Sequence, residues 1–498
     1  MTTQSQKTGI MSHPKGLRTL FMTEMWERFS YYGMRAILIL FMTTDVAKEG
    51  MGLDEETAGA IYGLYTAGVY LFTLPGGWIA DNILGQQKAV WYGGILIMIG
   101  HILLAVPGSN MIFFSGLAFV ATGTGLLKPN ISTMVGDLYP EGGARRDAGF
   151  SIFYMGINIG SFLGQACVSL LGEKVNWHYG FGLAAIGMLF GLIQFRLTSK
   201  SLKGIGVAAK AKEDTSTHLP TNKGLTLLLS GFLIVLVTIA QFTGYIDLTT
   251  ARGFAEAVGF IIVSVTVIYF LNILVSGGLN AQEKKKVGVI FLLFVGSAVF
   301  WAGFEQAGST LNLFARDYTD RMIGGFELPA GMLQNVNPGF IIIFAPILGA
   351  LWVKLAAKNL NPSTPIKFGI GLILMAIGFF IMFLAAKIVV ESSGKVGMFW
   401  LVATYFFHSV GEITLSPIGL SATTQLAPAR YTGQMMGIWF VGTSLGNLIA
   451  GLFAGGFNSE SSDSLPSLFM SVVMLGVGAG VIFFILTPWV KKWMGNVK

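Results

Sequence analysis

The stretch TEMWERFSYYGMRAILILFM, Thr23–Met42, ends in an unbroken apolar run of the kind that crosses a bilayer, yet it carries Glu24, Glu27, Arg28 and Arg35. On insertion scales a charge at the bilayer centre costs about 2.5–3.5 kcal/mol, so four facing lipid would cost roughly 10–14 kcal/mol. That is as large as the net stability of a folded domain. At 100° per residue, Glu24, Glu27, Arg28, Tyr31, Tyr32 and Arg35 fall on one stripe about 140° wide. Met25, Trp26, Phe29, Gly33, Ala36, Ile37 and Leu40 cover the rest of the cylinder. Glu24 and Arg28, four residues apart, can pair directly. The segment therefore reads as a membrane helix with one polar face turned to a watery interior.

The rest of the chain supports that reading. Of 498 residues, 53% are hydrophobic and 11% charged, against about 25% charged in a soluble domain, and the mean hydropathy is +0.67. Fourteen apolar segments are long enough to span, at about 20 residues each: 18–43, 57–80, 88–107, 111–138, 147–171, 178–197, 224–243, 253–275, 287–315, 331–353, 366–387, 396–424, 430–455 and 467–490. The expected fold class is an all-α polytopic membrane protein. The polar start, MTTQSQKTGIMSHPKG, reads as a cytoplasmic N-terminus rather than a signal peptide. With both termini inside, 22 of the 32 Lys and Arg residues fall in inner segments and 7 in outer loops, the bias expected of inner loops. The net charge of +7 belongs to those loops and implies no nucleic-acid partner. The lone Cys167 excludes an internal disulfide and a cysteine metal cage.

The longest polar break, 198–223, reads as a cytoplasmic linker. The expected organisation is a cytoplasmic N-terminus (1–17), a six-helix bundle (18–197), the linker (198–223), an extra peripheral helix pair (224–275), a short linker (276–286), a second six-helix bundle (287–490) and a cytoplasmic tail (491–498). The extra pair has almost no charge and is expected to carry no site. Gly156, Gly160 and Gly164 in span five, and Gly442 and Gly446 in span thirteen, form small-xxx-small ladders suited to close helix packing.

Three further charges lie in apolar segments: Lys128, Glu305 and Glu412. Ionisable groups inside a membrane are functional by default. Arg35 lies about 16 Å above Glu24 along its helix, at a height similar to Glu305, whereas Lys128 and Glu412 are deeper. Two bridges between the halves are therefore expected, Arg35–Glu305 outside and Lys128–Glu412 inside, as gates on either side of a midplane site. Tyr32, Tyr70, Tyr154, Asn158, Asn337 and Ser416 give the interior groups to bind with. Trp301 and Trp439 suit either helix packing and interface belts or the walls of a pocket. His101 and His408 read as hydrogen-bonded helix residues, and no His, Cys or carboxylate cluster points to a metal. No nucleophile–base pair or phosphate loop points to an enzyme.

Several motifs together carry a resemblance. EMWERFSYYG resembles the ExxERFxYY motif of the proton-coupled oligopeptide transporters (the POT, or PTR2, family), the peptide branch of the major facilitator superfamily. GGWIADNILGQQK (Gly76–Lys88) resembles the family's loop between spans two and three, and FSIFYMGINIGSF (Phe150–Phe162) its span-five signature. FWAGFEQ and GEITLSPIGLS resemble its second-half motifs. The resemblance implies the major facilitator fold, two six-helix bundles with the extra helix pair usual in bacterial members, and residence in a bacterial cytoplasmic membrane. It implies proton-driven import of di- and tripeptides, with no cofactor and no obligatory protein partner.

By the same resemblance Glu24, Glu27 and Arg28 couple proton movement to transport. Arg35, Lys128 and Tyr32 hold the peptide carboxylate, and Glu412, Asn158 and Asn337 hold the amino group. Tyr70, Tyr154, Trp301, Trp439 and Ser416 line side-chain pockets. Animal members carry a functional histidine in span two where this chain has Gly63, so proton carriage is expected to rest on the carboxylates, including Glu305 and Glu412. A carrier of another solute on the same fold, such as nitrate, a drug or an amino-acid conjugate, is the alternative.

Overall fold

The computed structural model describes residues 13–140, 143–202, 204–207, 235 and 238–495. These pack as two compact units, one drawn from the described residues up to 35 and from 72 to 207, the other from 36–71 and the described residues from 235 on. Among the described residues ten helices are long and apolar enough to cross a membrane, and α1, α2 and α13 below add the charged, short and polar spans expected from sequence. Most of the expected span seven (224–243) and of the linker 198–223 lies outside the described residues.

The first unit holds most of α1 (Lys15–Thr43), then α3 (Thr73–Ile79), α4 (Gln86–Leu104), α5 (Asn110–Asp137), α6 (Gly143–Lys174) and α7 (Trp177–Thr198). α4 packs on α5 and α7. The glycine ladder of α6 lies against α1: a Cβ on Gly160 would overlap the Met25 carbonyl, one on Gly164 the Phe29 carbonyl, and one on Gly156 would sit 2.9 Å from the Phe21 ring. Gly33, one turn beyond Phe29, continues the contact: a Cβ on it would lie 2.9 Å from Gly164 O. The spacing of four on both helices lets the backbones touch, and this crossing fixes the rotation of α1 and hence of its charged stripe.

The second unit holds the end of α1, α2 (Glu55–Leu71), α8 (Ala251–Ser276), α9 (Ala281–Phe304), α10 (Thr310–Asp317), α11 (Val336–Ala357), α12 (Thr364–Ser392), α13 (Phe399–Leu426), α14 (Thr432–Ala454) and α15 (Leu465–Met494). Short strands close one end: Thr319–Asp320 pairs in parallel with Val396–Gly397, and Met322–Ile323 forms a hairpin with Phe326–Glu327. α2 packs on α14 through Gly63, where a Cβ would meet Leu448 O at 2.9 Å and Gly451 Cα at 3.1 Å. Position 63 thus has no room for a side chain.

Two expected spans are broken. Span two splits at Phe72 into α2 and α3, because Pro75 has no N–H to continue the ladder and sits best in a first helical turn. Span nine is interrupted by a 3₁₀ turn over Glu305–Gly308, after which Ser309 leaves helical geometry at φ −124°, ψ −96°. Glu305 therefore sits at a helix end. Pro129 follows Lys128 within α5, and Pro417 lies five residues after Glu412 within α13. Each proline removes a backbone hydrogen bond from its helix beside a charge.

Candidate functional site

In the first unit Glu24, Glu27 and Arg28 are all buried. Arg28 Nε lies 3.2 Å from Glu24 Oε1, and it also donates to Glu27 Oε2 in a short bond. One nitrogen thus serves two carboxylates. Glu24 Oε2, Glu27 Oε1 and Arg28 Nη2 are buried with no partner among the described residues. The guanidinium lies over Tyr31 and Tyr32, at 5.0 and 5.6 Å from the ring centres, and Arg35 lies over the same Tyr32 ring at 5.3 Å. This stack is favourable for a desolvated guanidinium. Lys128 on α5 is half-buried and within electrostatic reach of Glu24. On α6, Asn158 is buried and its amide donates to Tyr154 O at 3.0 Å, while the Tyr154 ring is 44% exposed. Among the first-half residues expected to couple protons or bind substrate, all but Tyr70 belong to this unit.

In the second unit the structure brings Asn337 and Glu412 together. Asn337 Nδ2, at the start of α11, donates to Glu412 Oε2 at 3.4 Å and to Ser409 Oγ at 2.9 Å. Glu412, Asn337 and Ser416 are half-buried, which leaves them open to a ligand. Glu305 is buried and its charge acts on Glu412. Trp301 is held by Gly446, whose hydrogen faces its Cβ, and by edge contacts with Phe300 and Phe304 at 5.6 and 5.2 Å. Trp439 packs on Gly419 and meets the Phe368 ring at 6.3 Å. Tyr70 is buried on α2. The expected bridges Arg35–Glu305 and Lys128–Glu412 each draw one partner from each unit.

Some contacts escape sequence reading. Ser409 looks like any helical serine until Asn337 is seen to donate to it; its only signal is a place one turn before Glu412. Asn312 Nδ2 donates to Ala36 O at 2.7 Å, Arg316 Nη1 to Thr43 Oγ1 at 2.6 Å, and Ser444 Oγ to Ala67 O at 2.9 Å. These bonds fasten the end of α1 and α2 to α10 and α14. His408 Nε2 donates to Met375 O at 3.2 Å, as a helix-packing histidine does. His101 differs from expectation: it is fully buried, and neither ring nitrogen has a partner among the described residues, because it sits in an apolar α4 crossing. Among the described residues no group of three or more His, Cys, Asp or Glu is placed to hold a metal.

A predominantly helical, polytopic chain with ionisable side chains buried on the helices of both halves is a multi-pass membrane transporter of the major facilitator fold. The chain belongs to the POT family, described as PTR2, whose pattern matches residues 87–472. It is 42% identical to the peptide transporter YePEPT of Yersinia enterocolitica over 98% of this chain and 97% of that one. It is 37% identical to a di-/tripeptide transporter of Lactococcus lactis over 99% of both chains. A crystal structure of a peptide transporter POT in complex with sulfate superposes with a TM-score of 0.86 at 40% identity, covering 98% of this chain and 97% of that one.

Proposed function

We propose that this transporter is a proton-coupled symporter that imports di- and tripeptides by alternating access across a bacterial cytoplasmic membrane, with both termini cytoplasmic and no cofactor. The observation that carries the coupling is the buried Glu24–Arg28–Glu27 cluster. Two carboxylates share one guanidinium nitrogen, so Arg28 can balance only one of them, and a proton on the other removes the charge it leaves over. A proton on either glutamate also weakens that glutamate's bond to Arg28. Glu305, buried, and Glu412, half-buried, are the second unit's carboxylates for carrying a proton.

Peptide as cargo follows from the named relatives and from the chemistry of the two sites. A short peptide is a zwitterion. Arg35 and Lys128 with Tyr32 supply cations and a hydroxyl for its carboxylate. Glu412 with Asn337 and Asn158 supplies acceptors for its ammonium. Tyr70, Tyr154, Trp301, Trp439 and Ser416 form tolerant walls for variable side chains. The bridges Arg35–Glu305 and Lys128–Glu412 serve as gates on opposite sides of the bound peptide. With the N-terminus inside, the bonds from Asn312 and Arg316 lie in the outer half of α1, and outward opening must break them. Uptake of labelled dialanine into proteoliposomes tests the reading. Uptake is expected to rise with an inward proton gradient; dialanine uptake blind to the gradient, or no dialanine uptake at all while another solute is carried, would sink it.

A further inference from the structure

Ser409 is fully buried, and its hydroxyl donates to Tyr405 O at 2.7 Å, one turn back on α13. Serine back-bonding of this kind is common in helices and by itself means little. Its consequence here is that the only hydroxyl proton is committed, so towards Asn337 the Ser409 oxygen can only accept. Asn337 Nδ2 donates to that oxygen at 2.9 Å and to Glu412 Oε2 at 3.4 Å. An amide turned over would set Oδ1 against two acceptor oxygens and leave its N–H groups facing the ligand space. Both contacts therefore select one of the two amide orientations, and in that orientation Asn337 Oδ1 is an acceptor on the opposite side.

We propose that Ser409 is a positioning residue: it locks the Asn337 amide so that Oδ1 stands beside the Glu412 carboxylate as a second acceptor for the ammonium group of the transported peptide. The inference rests on the peptide reading above. It also assigns a role that persists when Glu412 takes up a proton, because a carboxylic acid can donate as well as accept and ceases to select the amide orientation, whereas the serine hydroxyl does not titrate in that range.

Proteoliposome uptake of labelled dialanine by wild type, Ser409→Ala and Ser409→Thr, with N-acetyl-dialanine as competitor, tests this. Ser409→Ala is expected to raise the KM for dialanine about tenfold while leaving Vmax within about twofold. It is also expected to shrink the preference for dialanine over the N-blocked peptide by a similar factor. Ser409→Thr, which keeps the hydroxyl, is expected to restore both. Asn337→Ala should reproduce the defect, and the double variant should be no worse than Asn337→Ala alone. If Ser409→Ala fails to insert, Ser409→Cys, which keeps the volume and weakens the acceptor, takes its place. An unchanged KM, an equal loss for free and N-blocked peptide, a fall in Vmax alone, or additive effects of the two substitutions would overturn the role of Ser409 while leaving peptide transport standing. Absence of dialanine uptake by the wild type would overturn both.

Discussion

The Asn312 side chain donates to the main-chain carbonyl of Ala36 at 2.7 Å, and both groups are buried. A backbone oxygen in mid-helix is thereby tied to a different helix, and the end of α1 groups with the second unit. A neutral buried bond of this kind contributes about 1 kcal/mol. Removing it with Asn312→Ala is expected to favour the state in which this end is open. With Cys167→Ser as background and a cysteine at the buried Leu40, labelling by an impermeant maleimide from outside should quicken about fivefold. An unchanged rate would show that the bond does not hold the closure.

The shared nitrogen of Arg28 predicts unequal effects on two kinds of flux. Glu27→Gln removes a carboxylate that bonds Arg28 directly and cannot carry a proton. Gradient-driven uptake of dialanine should be lost, whereas counterflow exchange, which needs no net proton movement, should persist. Equal loss of both would place Glu27 in the structure of the site rather than in coupling.

The α2–α14 crossing predicts a steric limit. Gly63→Ala places a methyl group 2.9 Å from Leu448 O, against backbone that cannot move aside. Overpacking of this sort costs about 1–3 kcal/mol. Gly77→Ala meets nothing within 4 Å and gains helix propensity of up to about 1 kcal/mol. Thermal unfolding in detergent should therefore show Gly63→Ala well below wild type and Gly77→Ala at or above it. Equal melting of the two variants would mean that the close crossing does not limit stability.

A pH-dependent cap is expected at the start of α2. Burial alone would raise the Asp54 carboxyl, but Thr57 donates to it from both its backbone N–H, at 2.8 Å, and its hydroxyl, at 2.9 Å. These bonds outweigh burial and hold Asp54 below its usual value. A depressed folded value means the cap contributes fully above the ordinary aspartate range, near 3.9, and is lost as the pH falls through the lowered folded value. Asp54→Ala should thus cost about 1 kcal/mol at neutral pH, with the gap to wild type closing as pH falls through 4 to 3. A gap independent of pH would assign the cap to something other than the carboxylate.

Much of this molecule was legible in its residues. The described helices fall on the expected spans, with several ends shifted, since a bilayer imposes length and apolarity on each segment independently of its neighbours. The charged stripe from Glu24 to Arg35 could be drawn on a wheel because its residues share one helix, and the Glu24–Arg28 pair follows from a spacing of four. The α6 glycine ladder announced a close contact but not its partner. The breaks at Phe72 and at Glu305–Gly308 lay hidden within hydrophobic runs, as hydropathy does not register where a backbone bond is lost.

What the chain by itself determined is therefore local: where each helix runs, which of its faces is polar, and which charges must avoid lipid. Only the tertiary structure decided that Asn337 donates to Ser409, that Gly63 leaves no room for a side chain, and that residues 36–71 pack with the second unit. Periodicity constrains neighbours three and four residues apart, whereas a hydrogen bond between Asn312 and Ala36, 276 positions apart, depends on how separate helices meet, which no single segment encodes.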